Sequence, residues 1–363
     1  MRIEKSATSA LVARFLVGYV RPVQKIRLKD VAARAGVAVN TASTILNRRP
    51  NSWASAATEE RVFLAAAELG YKPNRAAQSL RRGRFNAIAF VIADLNNPFY
   101  TAFADALEEA AGERGYDVII ETWRNDLSRE RRILDELENR QVDGIAAFLS
   151  DPESHRTYLG ALARQETPFI VLSSTGTAAL PVDAVLADFE SGLAVAVDSL
   201  AQLGHRRFAF VSALAEGQFA GKRRELFLRL LAARGLVDSA FSVIDCAPTV
   251  AGAHDSAAAL LRSPERPTAI IAMNDIAAIG VMRAATDAGL QIPRDVSVVG
   301  ADDIPLGVFL PVSLSTIAQP IGEMARFTVE QLISRIEAKE FEPTPVTKIF
   351  PTRYIARESV GPT

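Results

Sequence analysis

Cysteine is almost missing from this chain of 363 residues: Cys246 stands alone. No internal disulfide can form, which fits a reducing cytoplasm. Three histidines, His155, His205 and His254, are scattered without metal-ligand spacing, so no metal or other cofactor is expected. His205, in LGHRR before a strand, reads as a structural residue. No apolar run reaches the ~18 residues that a membrane-spanning helix needs. The best candidate, Ala10 to Val20, is interrupted by Arg14 and lacks a small-residue cleavage site, so neither membrane contact nor a signal peptide is expected. There is no Gly-x-Gly-x-x-Gly after the first strand, no P-loop and no Gly-x-Ser-x-Gly elbow. The chain does not read as an enzyme.

The net charge of −1 hides an asymmetry. Residues 1–85 carry sixteen Lys and Arg against five Asp and Glu, a net of +11, and the rest of the chain carries a net of −12. A basic piece joined to an acidic one points to nucleic-acid contact by the basic piece.

In that piece, Leu28, Val31, Ala32 and Ala35 recur at helical spacing, and Gly36 follows where a helix ends in a left-handed residue. A second short helix is expected at about Asn40 to Asn47, with Ala42, Ile45 and Leu46 inward. A third is expected from Thr58 to Leu69, with Ser55 as N-cap. Two short helices joined by a tight Gly-containing turn make a helix-turn-helix.

The run KDVAARAGVAVNTASTILN, then AAAELGYKPNRAAQSLRRG, resembles the DNA-binding headpiece of the lac-repressor (LacI/GalR) family. The resemblance implies that the second helix enters the major groove. Val39, Asn40 and Thr44 would read bases, with Thr41 and Ser43 near phosphates. Asn40 can offer a bidentate amide to adenine, and Val39 an apolar contact to a thymine methyl. Thr44 stands where the family usually has an arginine, and Arg27 where it usually has a capping Thr or Ser. Residues 74–85 resemble the family hinge, helical only on DNA. There Leu80 would wedge into the minor groove, with Asn74 in the hinge and Arg75, Arg81, Arg82 and Arg84 available to phosphates. Residues 1–26 precede the family's usual start and read as an N-terminal extension, either an extra DNA-contacting arm or, the favoured reading, an upstream start that overextends the chain.

After Phe85, short apolar runs alternate with amphipathic stretches, beginning with Ala87–Ile92 and ending with Val296–Val299. That alternation argues for parallel sheets covered by helices on both faces. The expected fold is α/β: an all-α helix-turn-helix headpiece at residues 27–73, then a two-lobed core at 86–363. The first lobe is placed at about 86–186 and 317–348, the second at about 187–316 and 349–357. LGHRRFAF, IPRDVSVVGADD and LSTIAQPIGEMA resemble the effector-binding core of the same family, itself similar to periplasmic sugar-binding proteins.

Ligands of open parallel sheets sit beyond the carboxyl ends of the strands. Polar residues just past those ends include Asp94, Asn97, Ser173, Asn274 and Asp302. The resemblance adds Phe99, Tyr100, Arg223 and Gln319 as effector contacts. Asn, Asp and Arg fix hydroxyls, and aromatic faces cover C–H surface. Asp275 reads as the N-cap of the helix that follows it, Phe103 as core. Ser173 replaces an aspartate common in sugar-binding relatives, and Leu226 a usual glycine.

The expected function is a cytoplasmic, sequence-specific transcriptional repressor. It would bind a near-palindromic double-stranded operator as a homodimer, controlled by a small polar effector such as a sugar. The alternatives are a sugar-binding transport protein with no DNA role, or a regulator responding to a nucleoside or sugar acid. The chain stops soon after TRYIARES with no heptad tail, so no tetramerisation helix is expected.

Overall fold

A computed structural model describes residues 26–47, 54–71, 84–137, 142–165, 167–173, 179–213, 219–236, 241–338 and 344–363. The chain divides into two compact units, residues 1–83 and 84–363.

The first unit packs α1 (Leu28–Ala35), α2 (Val39–Leu46) and α3 (Ala56–Glu68). Its core is Val31, Ala32, Ala35, Ala42, Ile45, Val62, Ala65 and Ala66, the apolar stripes of the three helices. Gly36 closes α1 at φ +68°, its backbone N–H donating to Ala32 and Ala33, a conformation that favours glycine. Arg27 supplies no side-chain cap, but the Asp30 carboxylate accepts the Arg27 N–H at 2.8 Å. Ser55 occupies the cap position of α3, yet its hydroxyl pairs with the Thr58 hydroxyl at 3.0 Å instead of a backbone N–H.

The second unit alternates strands and helices. In order they are β1 (Ala87–Ile92), α4 (Pro98–Glu113), β2 (Asp117–Thr122), α5 (Leu127–Leu137), β3 (Gly144–Phe148), α6 (Arg156–Arg164), β4 (Phe169–Ser173) and β5 (Asp183–Asp188). Then come α7 (Phe189–Gln202), β6 (Phe208–Ala213), α8 (Phe219–Ala232), β7 (Phe241–Cys246), α9 (Val250–Leu261), β8 (Ala269–Ala272), α10 (Asp275–Asp287) and β9 (Ser297–Ala301). A 3-10 turn (Pro305–Phe309), β10 (Ser315–Ala318), α11 (Ile321–Glu337), β11 (Thr347–Pro351) and β12 (Arg353–Ile355) complete it.

The strands form two six-stranded sheets, ordered β11-β5-β4-β3-β1-β2 and β12-β10-β9-β8-β6-β7. Every pairing is parallel except β12 against β10. Helices cover both faces, so β1, β3, β8 and β9 are buried along their whole length. On the first sheet, Phe90 packs with Phe103, Leu107 and Val329, while Val91 packs with Ile133 and Leu159. On the second, Phe210 packs with Phe227 and Leu231, and Ala272 with Ala253 and Val281.

The chain passes between the sheets three times: from Asp188 into Phe189, between Ala318 and Ile321, and between Pro351 and Arg353. Each passage falls slightly later than the sequence pattern suggests, because Ser315–Ala318 still belongs to the second sheet and Thr347–Pro351 to the first. Thr352 joins two of the passages. Its hydroxyl donates to the Asp188 carbonyl at 2.7 Å and accepts the Gly192 N–H at 3.0 Å. Gly192 is required there, since a Cβ would lie 2.5 Å from the Ile317 side chain and 2.6 Å from the Thr352 hydroxyl. Among the described residues no helix is long and apolar enough to cross a membrane, and no group of acidic, His and Cys side chains could hold a metal.

Candidate functional site

On the first unit, the residues expected to read DNA lie on α2. Ala38 caps that helix without a side-chain acceptor, so its first N–H groups face outward, suited to a phosphate. Val39 and Asn40 are exposed there, and Thr41, Ser43 and Thr44 are half-buried. Thr44 donates its hydroxyl proton to the Asn40 carbonyl at 2.9 Å, and Ser43 is engaged by the Asn47 amide at 2.6 Å from its carbonyl. That leaves Asn40 as the open amide of the helix and Thr44 with an acceptor oxygen and a methyl. Asn74, Arg75, Leu80 and Arg81 lie outside the described residues.

On the second unit, strand ends deliver the other set. The turn after β1 holds Asp94, whose carboxylate accepts the Asn96 N–H and side-chain amide, both at 2.9 Å. Asn97 caps α4 by accepting the Phe99 N–H at 3.0 Å. Phe99 itself is only 5% exposed, packed edge-on against Phe148 at 5.6 Å. It therefore backs Tyr100 instead of offering an open face. Tyr100 sits edge-on to both Phe99 and Phe148, at 5.2 and 5.4 Å. Ser173 ends β4 and is buried.

From the second sheet, Asp302 follows β9 with φ +106°, and its carboxylate accepts the Gln319 side-chain amide at 2.8 Å. The side-chain oxygen of Gln319 is buried with no hydrogen-bond partner. Arg223, on α8, donates to the Met273 carbonyl at 2.6 Å and lies 4.3 Å over the Phe189 ring, a cation–π contact strengthened by burial. Asn274 accepts the Ala277 N–H at 2.9 Å and is the N-cap of α10.

Charge ties the two sheets together at Tyr100. Burial raises its hydroxyl pKa well above the ordinary value, Asp302, Asp94 and Glu130 raise it further, and Arg223 opposes them. Tyr100, Asp94 and Glu130 come from the first sheet's side, Arg223 and Asp302 from the second's. Burial pushes Asp302 up to about 7 against the pull of Arg223 and Gln319, and the same desolvation lowers Arg223. A buried carboxylate and guanidinium held this way are poised to be satisfied by the hydroxyls of an incoming ligand.

One acidic residue takes a different place from that expected, and a second was not anticipated. Asp275 is not the cap of α10; Asn274 is. The Asp275 carboxylate is buried, accepting the Thr316 hydroxyl at 2.7 Å and the Ile304 N–H at 2.8 Å. It pins the segment after Asp302, and burial with nearby Asp302 pushes it up to about 8. Glu130 escaped the sequence reading. It is 1% exposed and accepts the Ser150 N–H at 2.7 Å and the Ser150 hydroxyl, with His155 Nε2 at 3.2 Å. A signal existed: Glu130 shares the helical stripe of Ile133, Leu134 and Leu137.

A separate cavity of about 560 Å³ opens where the sheets meet. Its walls include Asp188, Phe189, Lys222, Leu226, Arg229 and Ile349. None of the nine expected effector residues lines it, although the Phe189 ring under Arg223 does. His205 has a purely structural setting, between the Gly361 carbonyl at 2.9 Å and the Thr268 hydroxyl at 3.0 Å. Cys246 is buried, its thiol pushed up to about 11.

Residues 27–74 match the family model described as bacterial regulatory proteins, lacI family. Residues 197–360 match a periplasmic binding protein-like domain. The chain is similar to the ribose operon repressor of Escherichia coli (strain K12), 31% identical over 310 residues, covering 85% of this chain and 92% of that protein. It is also similar to the HTH-type transcriptional repressor PurR of Photobacterium profundum, 29% identical over 315 residues, 87% of this chain and 93% of that one. In fold it is similar to the crystal structure of the lac repressor dimer bound to operator and the anti-inducer ONPF. That match has a TM-score of 0.82 at 24% identity, over 93% of this chain and 100% of the other.

Proposed function

This chain belongs to the lacI family of bacterial regulatory proteins, and from that premise we propose that it is a cytoplasmic transcriptional repressor whose DNA binding is set by a small polar effector held between the lobes of its core. The observation that carries this reading is the buried Arg223, Asp302 and Gln319 at the strand ends of the second sheet, with the Tyr100 ring at a strand end of the first. One lobe supplies an aromatic edge and the other directed donors and acceptors, as recognition of a sugar or sugar derivative requires.

Effector bound to both lobes favours one lobe orientation. In a symmetric homodimer, that orientation sets the separation of two headpieces and so whether both reach neighbouring major grooves of a near-palindromic operator. Exposed Leu306, Val308 and Phe309 on the 3-10 turn offer apolar surface to the second copy. Val39, Asn40 and Thr44 are the base readers, with Leu80 the minor-groove wedge.

Titrating the protein onto its own upstream DNA across a salt series tests the reading. Affinity should fall steeply with salt as phosphate contacts are screened. Absent or salt-insensitive binding would overturn it. A thermal-shift screen of neutral sugars, sugar acids and nucleosides then identifies the effector class.

A further inference from the structure

Helix α3 is apolar on two sides. Its inner side, Val62, Ala65, Ala66 and Leu69, packs into the three-helix core. Its outer side places Ala57, Glu60, Phe63, Leu64 and Ala67 at helical spacing, all exposed, with Phe63 at 41% and Leu64 at 55%. Single exposed apolar residues are ordinary, but a helix carrying a second apolar stripe with one charge in it needs a second partner. DNA does not suit that side, because Glu60 is exposed there and would repel phosphate, while Glu68 beside it is paired with Arg34 at 2.6 Å.

The chain itself contains a matching segment. Ala10–Val20 is eleven residues long with Arg14 as its one charge, and Leu11 and Phe15 stand one helical turn apart. Residues 1–25 carry five Lys and Arg against one acidic residue, Glu4, complementary to Glu60 of α3. The segment ends close to the unit it would cover, since Ile26 packs against the headpiece core. Residues 21–25 span at most roughly 17 Å when extended, enough to pass a helix about 10 Å across.

We propose that residues 10–20 dock on the outer side of α3 and cover Phe63 and Leu64, making the N-terminal extension a working part of the DNA-binding unit. Arg14 then lies against Glu60.

Limited trypsin digestion of the full chain, read by intact mass, tests this at the Arg14 cleavage site. In the native protein, cleavage after Arg14 should be at least tenfold slower than in a Phe63→Ser/Leu64→Ser variant. Both substituted residues are exposed, and circular dichroism confirms that the variant is folded. A Leu11→Ser/Phe15→Ser variant, which leaves the three helices untouched, should show the same acceleration and faster amide exchange over residues 60–67. Equal Arg14 cleavage in native and variant proteins overturns the proposal. Protection that disappears on dilution also overturns it, assigning the surface to a second copy instead.

Discussion

The residues proposed to read DNA in the first unit lie on the outside: Val39 is 45% exposed at the start of α2, with Asn40 beside it. In the second, Arg223, Asp302 and Gln319 are 6%, 6% and 8% exposed. An exposed reader such as Asn40 contributes to binding without contributing to folding, so its chemistry and the stability of its helix are separable. A buried reader is part of the fold: Arg223 holds the Met273 carbonyl and the Phe189 ring as well as facing Asp302. If these residues are the readers proposed above, change of effector specificity in the core is coupled to stability, whereas change of operator specificity in the headpiece is not.

The strongest test of that difference is Arg223→Met. It leaves Asp302 buried without its cation, which should cost about 3–5 kcal/mol at alkaline pH, measured by urea unfolding, and abolish effector-induced thermal shifts. Operator affinity without effector should change by less than twofold. A matching loss of operator affinity would break the contrast between the units. Asn40→Ala probes the other side. It should weaken operator binding by about 1–3 kcal/mol, read by titration at fixed salt, while the unfolding midpoint stays put because the residue is exposed.

A third test uses pH. Asp302, pushed up to about 7, and Asp275, pushed up to about 8, lie above the ordinary carboxylate value near 4. For an acid with a raised native pKa, the native state holds the proton while the unfolded chain has lost it. The associated stability is therefore full below about pH 4 and is lost as pH rises through the native values. Urea midpoints should decline from pH 5 to pH 8, and Asp302→Asn should flatten the decline. The smallest effect belongs to the headpiece. Arg27→Thr adds a capping hydroxyl opposite Asp30 and should stabilise that unit by about 1 kcal/mol, seen as a raised midpoint of its own thermal transition.

What could be read in the sequence follows the same division. The helices of the first unit are plain in the spacing of Val31, Ala32, Ala35, Ala42 and Ile45, because local periodicity alone builds them. In the core, continuous apolar runs reveal β1, β3 and β8. β5 is harder to see, since DAVLAD has a charge at each end. β10 is hidden because Ser315 and Thr316 are polar yet fully buried, their hydroxyls taken by the Arg357 and Asp275 partners that only the fold supplies. The capping of α10 turned on which residue, Asn274 or Asp275, has extended backbone; the sequence NDI permits either. The residues just beyond strand ends were legible from topology alone. The burial of Glu130 was signalled by its place on the apolar stripe of its helix, but its partners Ser150 and His155 were not, because they come from across a strand connection.

The three passages between the lobes have a mechanical consequence. Two bodies joined by one strand can tumble freely; joined by three strands lying side by side, they keep essentially one angle to vary. Thr352 fastens two of those strands together through Asp188 and Gly192, and so acts as a rivet at the pivot. Whatever energy the ligand supplies is then not dispersed among many motions but delivered along a single swing, whose amplitude is the only quantity the rest of the chain has to read.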